Sequence, residues 1–385
     1  LHTNYKIFRW RVASIRACLA EGQCDLFAAA AGSADAERHQ EELKSMATTQ
    51  QIDRSPQATP KSTPPGQFAP HAPIELDHVS HDYGSRLALD GLTFDVRPAE
   101  IFGLLGPNGS GKTTLFRILS TLMVPTGGHA RLAGFDVATE PNRVRLQTGI
   151  VFQATSLDVK LTVGENLMHQ GHLYGLSGSH LKARSKEVLD RVGLTDRKND
   201  LVETLSGGQK RRVELAKGLI HSPSVLLLDE PTTGLDPGAR IDLWNYLRIL
   251  RDEQGVTVLV TTHLMEEAEH CDRLAILSEG KLVALGSPAE LKSEIGGDIV
   301  QFETASADAA TALGARIAER FGVVPVVVDN AVRVEREQGH RFLTEVLEAF
   351  PGEILSVSVS KPSLEDVFIQ HTGHRFWLDQ GKEKQ

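Results

Sequence analysis

An α/β fold built on a largely parallel sheet is what this chain predicts, and three observations predict it. An apolar run at 101–105 leads into Gly106-Pro107-Asn108-Gly109-Ser110-Gly111-Lys112-Thr113-Thr114, and a helix-compatible stretch, 115–122, follows. Other apolar runs, 225–228 most plainly, lack period-two alternation, the pattern of strands covered on both faces. Helix-compatible segments fall between these runs, as parallel crossover connections require.

Residues 1–73 read differently from the rest. Phe8, Val12, Ile15 and Leu19 recur at helical spacing among Lys6, Arg9, Arg11 and Arg16. That stripe fits a basic amphipathic anchor or a transit-like segment, and a true start at Met46 would make it spurious. Residues 48–73 carry six prolines among Gln, Ser and Thr, with too little apolar surface to offset the entropy of ordering. The expectation for 1–73 is a disordered or spurious extension ending in a Pro-rich linker. Order is expected from Ile74, with strands at 74–79 and 92–96 joined through Tyr83-Gly84 and Gly91, then the strand at 101–105. Further strands are expected at 149–152, 225–228, 256–261 and 274–278, and helices at 184–192, 207–220, 239–251 and 264–270.

The segment 106–114 sits where a phosphate-binding loop must, between a buried strand and a helix start. Gly109 and Gly111 allow backbone conformations that point successive N–H groups inward, and the helix N-terminus adds a positive dipole end. Lys112 would reach the β- and γ-phosphates and the Thr113 hydroxyl would hold Mg²⁺, so the chain is expected to bind a nucleoside triphosphate. The run Val225-Leu226-Leu227-Leu228-Asp229-Glu230 puts two carboxylates at the end of a buried strand. Asp229 can hold Mg²⁺ there, and Glu230 can polarise the water that attacks the γ-phosphate. In Leu205-Ser206-Gly207-Gly208-Gln209, Ser206 fits an N-cap, and the glycine-rich helix start offers a second anion site. Taken alone, that pentapeptide reads as a helix cap and an Asp-Glu pair as a solvated strand end; the phosphate loop upstream changes both readings.

Composition narrows the partners. With 41 Lys and Arg against 50 Asp and Glu, the net charge of −9 gives no global positive field to recruit nucleic acid. Cys18, Cys24 and Cys271 are too few and too scattered for a disulfide framework, and Cys18 with Cys24 lacks the second pair of a zinc site. No apolar stretch approaches the ~18 residues that cross a bilayer, so any membrane function is borrowed from a partner.

Together these motifs resemble the ATPase subunit of ATP-binding cassette (ABC) transporters, over residues 74–291. The resemblance implies a P-loop ABC ATPase domain with a helical LSGGQ subdomain. It makes Tyr83 the aromatic that stacks on adenine, and Gln153 the glutamine that senses the γ-phosphate and metal and faces the membrane subunit. Ser206, Gly207, Gly208 and Gln209 would contact ATP held by the opposite subunit, and Asp236, after Pro231-Thr232-Thr233-Gly234-Leu235, would communicate across the dimer. His263 matches the switch histidine at the γ-phosphate. Since the chain offers one loop and one LSGGQ, ATP is expected to draw two copies together head to tail, giving two composite sites.

Beyond residue 291 the segments 299–304, 309–320, 323–328, 332–335, 339–350 and 354–359 read as strand, helix, strand, strand, helix, strand. That order predicts a small α+β, ferredoxin-like domain over 292–385. The closing Pro362-Ser363-Leu364-Glu365-Asp366-Val367-Phe368 resembles the C-terminal segment of daunorubicin-resistance-type, ABC-2 exporter ATPases, although an amphipathic closing helix would give the same spacing. The resemblance implies a homodimer on the cytoplasmic face of the membrane, powering a separate permease for a drug, lipid or polysaccharide. The alternative is a soluble ABC ATPase not tied to transport. Ribosomal cassette proteins carry two cassettes, and repair ATPases insert long coiled coils between Lys112 and Asp229; here those residues lie 229 − 112 = 117 positions apart without sustained heptads.

Overall fold

From Ile74 the chain runs through β1 (Ile74–Asp82), β2 (Leu87–Val96), β3 (Ile101–Leu105), α1 (Lys112–Leu119), β4 (Gly127–Leu132), β5 (Phe135–Asp136), α2 (Pro141–Gln147) and β6 (Thr148–Val151). A helical stretch follows, α3 (Val163–Leu173), α4 (Gly178–Arg191) and α5 (Gly207–Leu219). Then come β7 (Val225–Asp229), α6 (Pro237–Gln254), β8 (Thr257–Thr262), α7 (Met265–Ala268), β9 (Arg273–Ser278), β10 (Lys281–Gly286) and α8 (Pro288–Ser293). This computed structural model describes residues 72–372. The basic stripe at 8–19, Met46, Cys18, Cys24 and nearly all of the Pro-rich linker lie outside the described residues.

The central sheet has the order β10-β9-β3-β8-β7-β6, parallel throughout except for the β9–β10 pair. Every residue of β3 and β8 is buried, which is why neither strand shows an apolar–polar alternation. On one face, Leu226, Leu228, Val258 and Val260 pack with Val163, Leu189, Leu215 and Leu247 from the helices. On the other, Leu227 and Leu259 pack with Leu115, Phe116, Ile118 and Leu119 of α1 and with an antiparallel sheet, β2-β1-β4-β5.

Local signals set the helix ends. The Ser206 hydroxyl accepts from Gln209 N and the Gln209 side chain returns to the Ser206 N–H, a reciprocal cap that starts α5. Asp236 caps α6 ahead of Pro237, and Gly255 at φ +66° ends it. α1 begins at Lys112, three residues earlier than the periodicity placed it, because Gly111 at φ +105° turns directly into the helix. Several elements were not anticipated: β4, β5, α2, α3, β10 and α8. β4 opens on two glycines, and Gly164 and Gly171 interrupt the apolar face of α3.

The C-terminal region contains β11 (Asp298–Glu303), α9 (Ala307–Phe321), β12 (Val326–Val328), β13 (Ala331–Arg336), α10 (Gly339–Ala349), β14 (Ser356–Ser360) and α11 (Leu364–Thr372). Its antiparallel sheet has the order β12-β13-β11-β14, the ferredoxin-like topology. Val300, Phe302, Val332 and Val334 face Leu313 and Ile317 of α9 and Phe342 and Val346 of α10. The Leu364, Val367 and Phe368 of α11 pack instead with Leu274 and Ile276 of β9 and with Leu291 and Ile295. The closing helix therefore ties the small domain to the flank of the larger sheet.

Candidate active site

The loop 106–111 leaves the C-terminal end of β3, the edge at which an open parallel sheet holds its ligands. Gly109 takes φ +82° and Gly111 φ +105°, and a Cβ on Gly111 would stand 2.7 Å from Leu89 Cδ2 and 2.8 Å from Ala88 O. Inside the loop, buried Lys112 donates from Nζ to Gly106 O (2.6 Å) and Pro107 O (2.9 Å). Burial holds the Lys112 ammonium down to about 8, against the opposing pull of Glu230 and Asp229. Ser110 Oγ is buried with no hydrogen-bond partner among the described residues.

A cavity of about 270 Å³ opens above this loop, lined by Tyr83, Arg86, Asn108, Gly109, Lys112, Thr113, Thr114 and Glu230 among others. Tyr83 is half exposed, its ring edge-on to His81 and its hydroxyl 3.4 Å from Thr114 Oγ1. Arg86, which the sequence did not single out, donates to Gly109 O at 2.7 Å and adds a cation at the cavity wall.

Behind the loop, β7 ends on the two carboxylates beside β8. Thr261 Oγ1 donates to Asp229 Oδ1 at 2.6 Å and accepts from Glu230 N at 3.0 Å, so one hydroxyl holds both residues. Burial raises the Asp229 carboxyl above its ordinary value, a shift that the Thr261 hydrogen bond opposes and the Glu230 charge reinforces. Glu230 sits at φ +42°, a backbone conformation that costs a non-glycine residue on the order of 1 kcal/mol. Its side chain is gripped from both sides. Gln153 Nε2 donates to Oε2 at 3.0 Å, and His263 Nδ1 lies 3.0 Å from Oε1. Thr233 Oγ1 donates to Oε2 at 3.3 Å. Gln153 and His263 thus converge on Glu230, although 110 residues separate them in sequence (263 − 153).

The residues fit a nucleoside triphosphate. A lysine, paired within the loop only with carbonyls, lies beside inward-bending glycines and an orphaned serine hydroxyl. No cluster of three or more His, Cys, Asp or Glu that could hold a metal exists among the described residues. Thr113, Asp229 and Gln153 could offer a few oxygen donors, which would suit an ion such as Mg²⁺ that keeps waters and binds largely through substrate phosphates.

Residues 205–209 do not line this cavity. Gly208 lines a different one, of about 400 Å³, between α4, α5 and α6. In this chain the Gln209 side chain is committed to the α5 cap and the Asp236 carboxylate to Ala239 N at 2.9 Å. Two buried carboxylates were not legible either. Glu267 accepts from Thr262 Oγ1 at 2.6 Å and from the Thr232 hydroxyl, joining the segment after Glu230 to the strand before His263. Glu214 accepts from Arg211, and their helical spacing of three, readable as an ordinary surface pair, was the one available signal.

A protein-family model described as ABC transporter matches residues 89–233, and one described as ATP-binding protein DrrA1-3-like, C-terminal domain, matches residues 286–372. The daunorubicin/doxorubicin resistance ATP-binding protein DrrA of Streptomyces peucetius is 38% identical, over 79% of this chain and 94% of its own. The Nod factor export ATP-binding protein I of Paraburkholderia xenovorans is 39% identical, over 79% and 98%. The linearmycin resistance ATP-binding protein LnrL of Bacillus subtilis is 35% identical, over 78% and 98%. Among solved structures, cbiO1 of Clostridium perfringens, part of an ABC transporter complex, aligns with TM-score 0.55 at 25% identity, over 66% of this chain and 97% of that one. The ATP-binding cassette MJ0796, in a dimeric post-hydrolysis state with ADP and phosphate, aligns with TM-score 0.51 at 28% identity, over 56% and 98%.

Proposed function

The chain belongs to the ABC transporter ATPases that carry a DrrA-like C-terminal domain, and we propose that it converts ATP hydrolysis into export through a separate ABC-2 membrane permease. The observation that carries this is the grip of Gln153 and His263 on Glu230, beside the lysine of a phosphate loop. The backbone N–H groups of 109–114 and Lys112 Nζ bind the phosphates, for which Lys112 must exchange Gly106 O and Pro107 O. Tyr83 offers a ring to the base. Glu230 takes the proton from the attacking water, and Gln153 and His263 hold its two oxygens in place. Mg²⁺, when bound by Thr113, Asp229 and Gln153, would neutralise charge on the β- and γ-phosphates.

Because the LSGGQ segment stands outside the cavity, a second copy placed head to tail would bring its Ser206, Gly207, Gly208 and Gln209 to the nucleotide, with Asp236 nearby. We divide the chain accordingly into a cassette, 74–291, and an accessory domain, 292–385. No helix among the described residues is long and apolar enough to cross a membrane, so attachment would run through protein contacts near Gln153 and residues 154–167. The relatives are named for daunorubicin/doxorubicin resistance, Nod factor export and linearmycin resistance, which supports an exported cargo, and a drug, lipid or polysaccharide is the class we propose. Lys112→Ala tests the reading. ATPase activity should fall roughly a hundredfold or more at unchanged circular dichroism, and a folded variant with normal activity would refute the assignment.

A further inference from the structure

Arg211 lies two residues past the LSGGQ pentapeptide, on the first turns of α5, and it is buried. A buried guanidinium is costly unless its donors are satisfied, and this one spans three segments. Nη1 donates to Glu214 Oε2 at 2.8 Å and to Phe152 O at 2.7 Å. Nε donates to Pro231 O at 2.8 Å and Nη2 to Asp229 O at 3.3 Å. Glu214 completes the clamp by accepting Ser156 N at 2.7 Å. Phe152 immediately precedes Gln153, and Asp229 and Pro231 immediately flank Glu230. One planar cation therefore fixes the backbone on both sides of the 3.0 Å Gln153–Glu230 hydrogen bond.

We propose that Arg211, held by Glu214, is a positioning residue for hydrolysis: it aligns Gln153 with Glu230 and makes that alignment depend on where α5 sits. A tilt or shift of α5, the helix whose N-terminus carries the LSGGQ segment, moves both clamped backbones together. The helix expected to meet a partner's nucleotide thereby sets the geometry of its own chain's hydrolytic carboxylate. Lysine cannot substitute, since a single ammonium lacks the fork that reaches two loops at once.

The inference rests on the ATPase reading, and one set of assays separates the two. Steady-state hydrolysis is measured for the full chain, Arg211→Lys, Gln153→Ala and the double variant, alongside thermal melting. Arg211→Lys should lower kcat about tenfold with KM for ATP within about twofold, the signature of an interaction used only in the transition state. In the Gln153→Ala background the same substitution should cost less than about twofold, because the alignment it serves is already gone. A kcat equal to wild type, or a penalty undiminished in the Gln153→Ala background, would overturn the proposal. If Arg211→Lys does not fold, Glu214→Gln, which keeps an acceptor for Ser156 N but removes the charge orienting Arg211, is read by the same two criteria. An inactive wild type would instead refute the ATPase reading itself.

Discussion

The two regions of this molecule are built on different principles. In the cassette, the candidate site gathers at one end of the sheet: Lys112, the adjacent Asp229 and Glu230, Gln153 and His263 arrive from four separate segments. The strand that leads to each is buried nearly throughout, with the loop 106–111 between β3 and Lys112. The C-terminal domain spends its buried residues mainly on packing, with Phe302, Phe342, Val300 and Val332 closing a small core between sheet and helices. Among its described residues, Arg333 pairs with the buried Asp366 and so binds α11 to β13, away from the catalytic carboxylates. The contrast teaches that activity and stability should separate by region, and the following experiments press on that separation.

The largest effect is expected from Phe302→Ala. Removing a fully buried phenylalanine from so small a core should cost about 3–5 kcal/mol. Calorimetry should show a lowered transition for the C-terminal domain while the cassette transition and the KM for ATP hold. Loss of ATP binding together with that transition would break the comparison. His263→Ala is next, and is the mirror image. It should lower kcat about a hundredfold, roughly 2.7 kcal/mol, with melting unchanged, because it removes the side chain that holds Glu230 Oε1.

A pH titration follows in size. Lys112 must be protonated to meet a phosphate, and burial has brought it down to about 8. ATP affinity should therefore be level below pH 8 and fall by up to tenfold per pH unit above it, until the pKa of the bound lysine is reached. The sign for folding is opposite. The unfolded chain holds this proton up to pH ~10.5, so the destabilisation from the buried cation eases as pH rises from about 8. A KM for ATP that stays flat from pH 7 to 9.5 would contradict the first statement. Smallest is Ser306→Ala, which removes the hydroxyl capping α9 at Ala309 N and should cost about 1 kcal/mol of C-terminal stability, with no change in hydrolysis.

The same contrast governs what the sequence made legible. β3, β7 and β8 were readable because burial on both faces leaves no alternation to misread, and the phosphate loop because its glycines sit between a strand and a helix. The ferredoxin-like order came from periodicity alone, with strand ends off by two or three residues: 323–328 shortens to β12 at Val326–Val328. α3 was missed although Thr162 and Glu165 form a capping box at its start, because its two glycines hide the apolar stripe. Arg211 was missed for a deeper reason. An arginine amid Lys210 and Arg212 looks like a solvated face, and only carbonyls 18 to 59 residues away give it a buried role. Local pattern announces which segments form; contacts between distant segments decide which polar side chains work.

We propose that Glu230 activates water at a nucleotide shared by two chains. Glu230→Gln keeps the shape of the side chain and removes its basicity, so it tests the claim most directly when mass and turnover are measured on one sample. Size exclusion with light scattering in Mg-ATP should find Glu230→Gln at twice the monomer mass with hydrolysis nearly abolished, and at the monomer mass once ATP is withdrawn. A Glu230→Gln protein that hydrolyses ATP at the wild-type rate and remains monomeric under saturating Mg-ATP would contradict it.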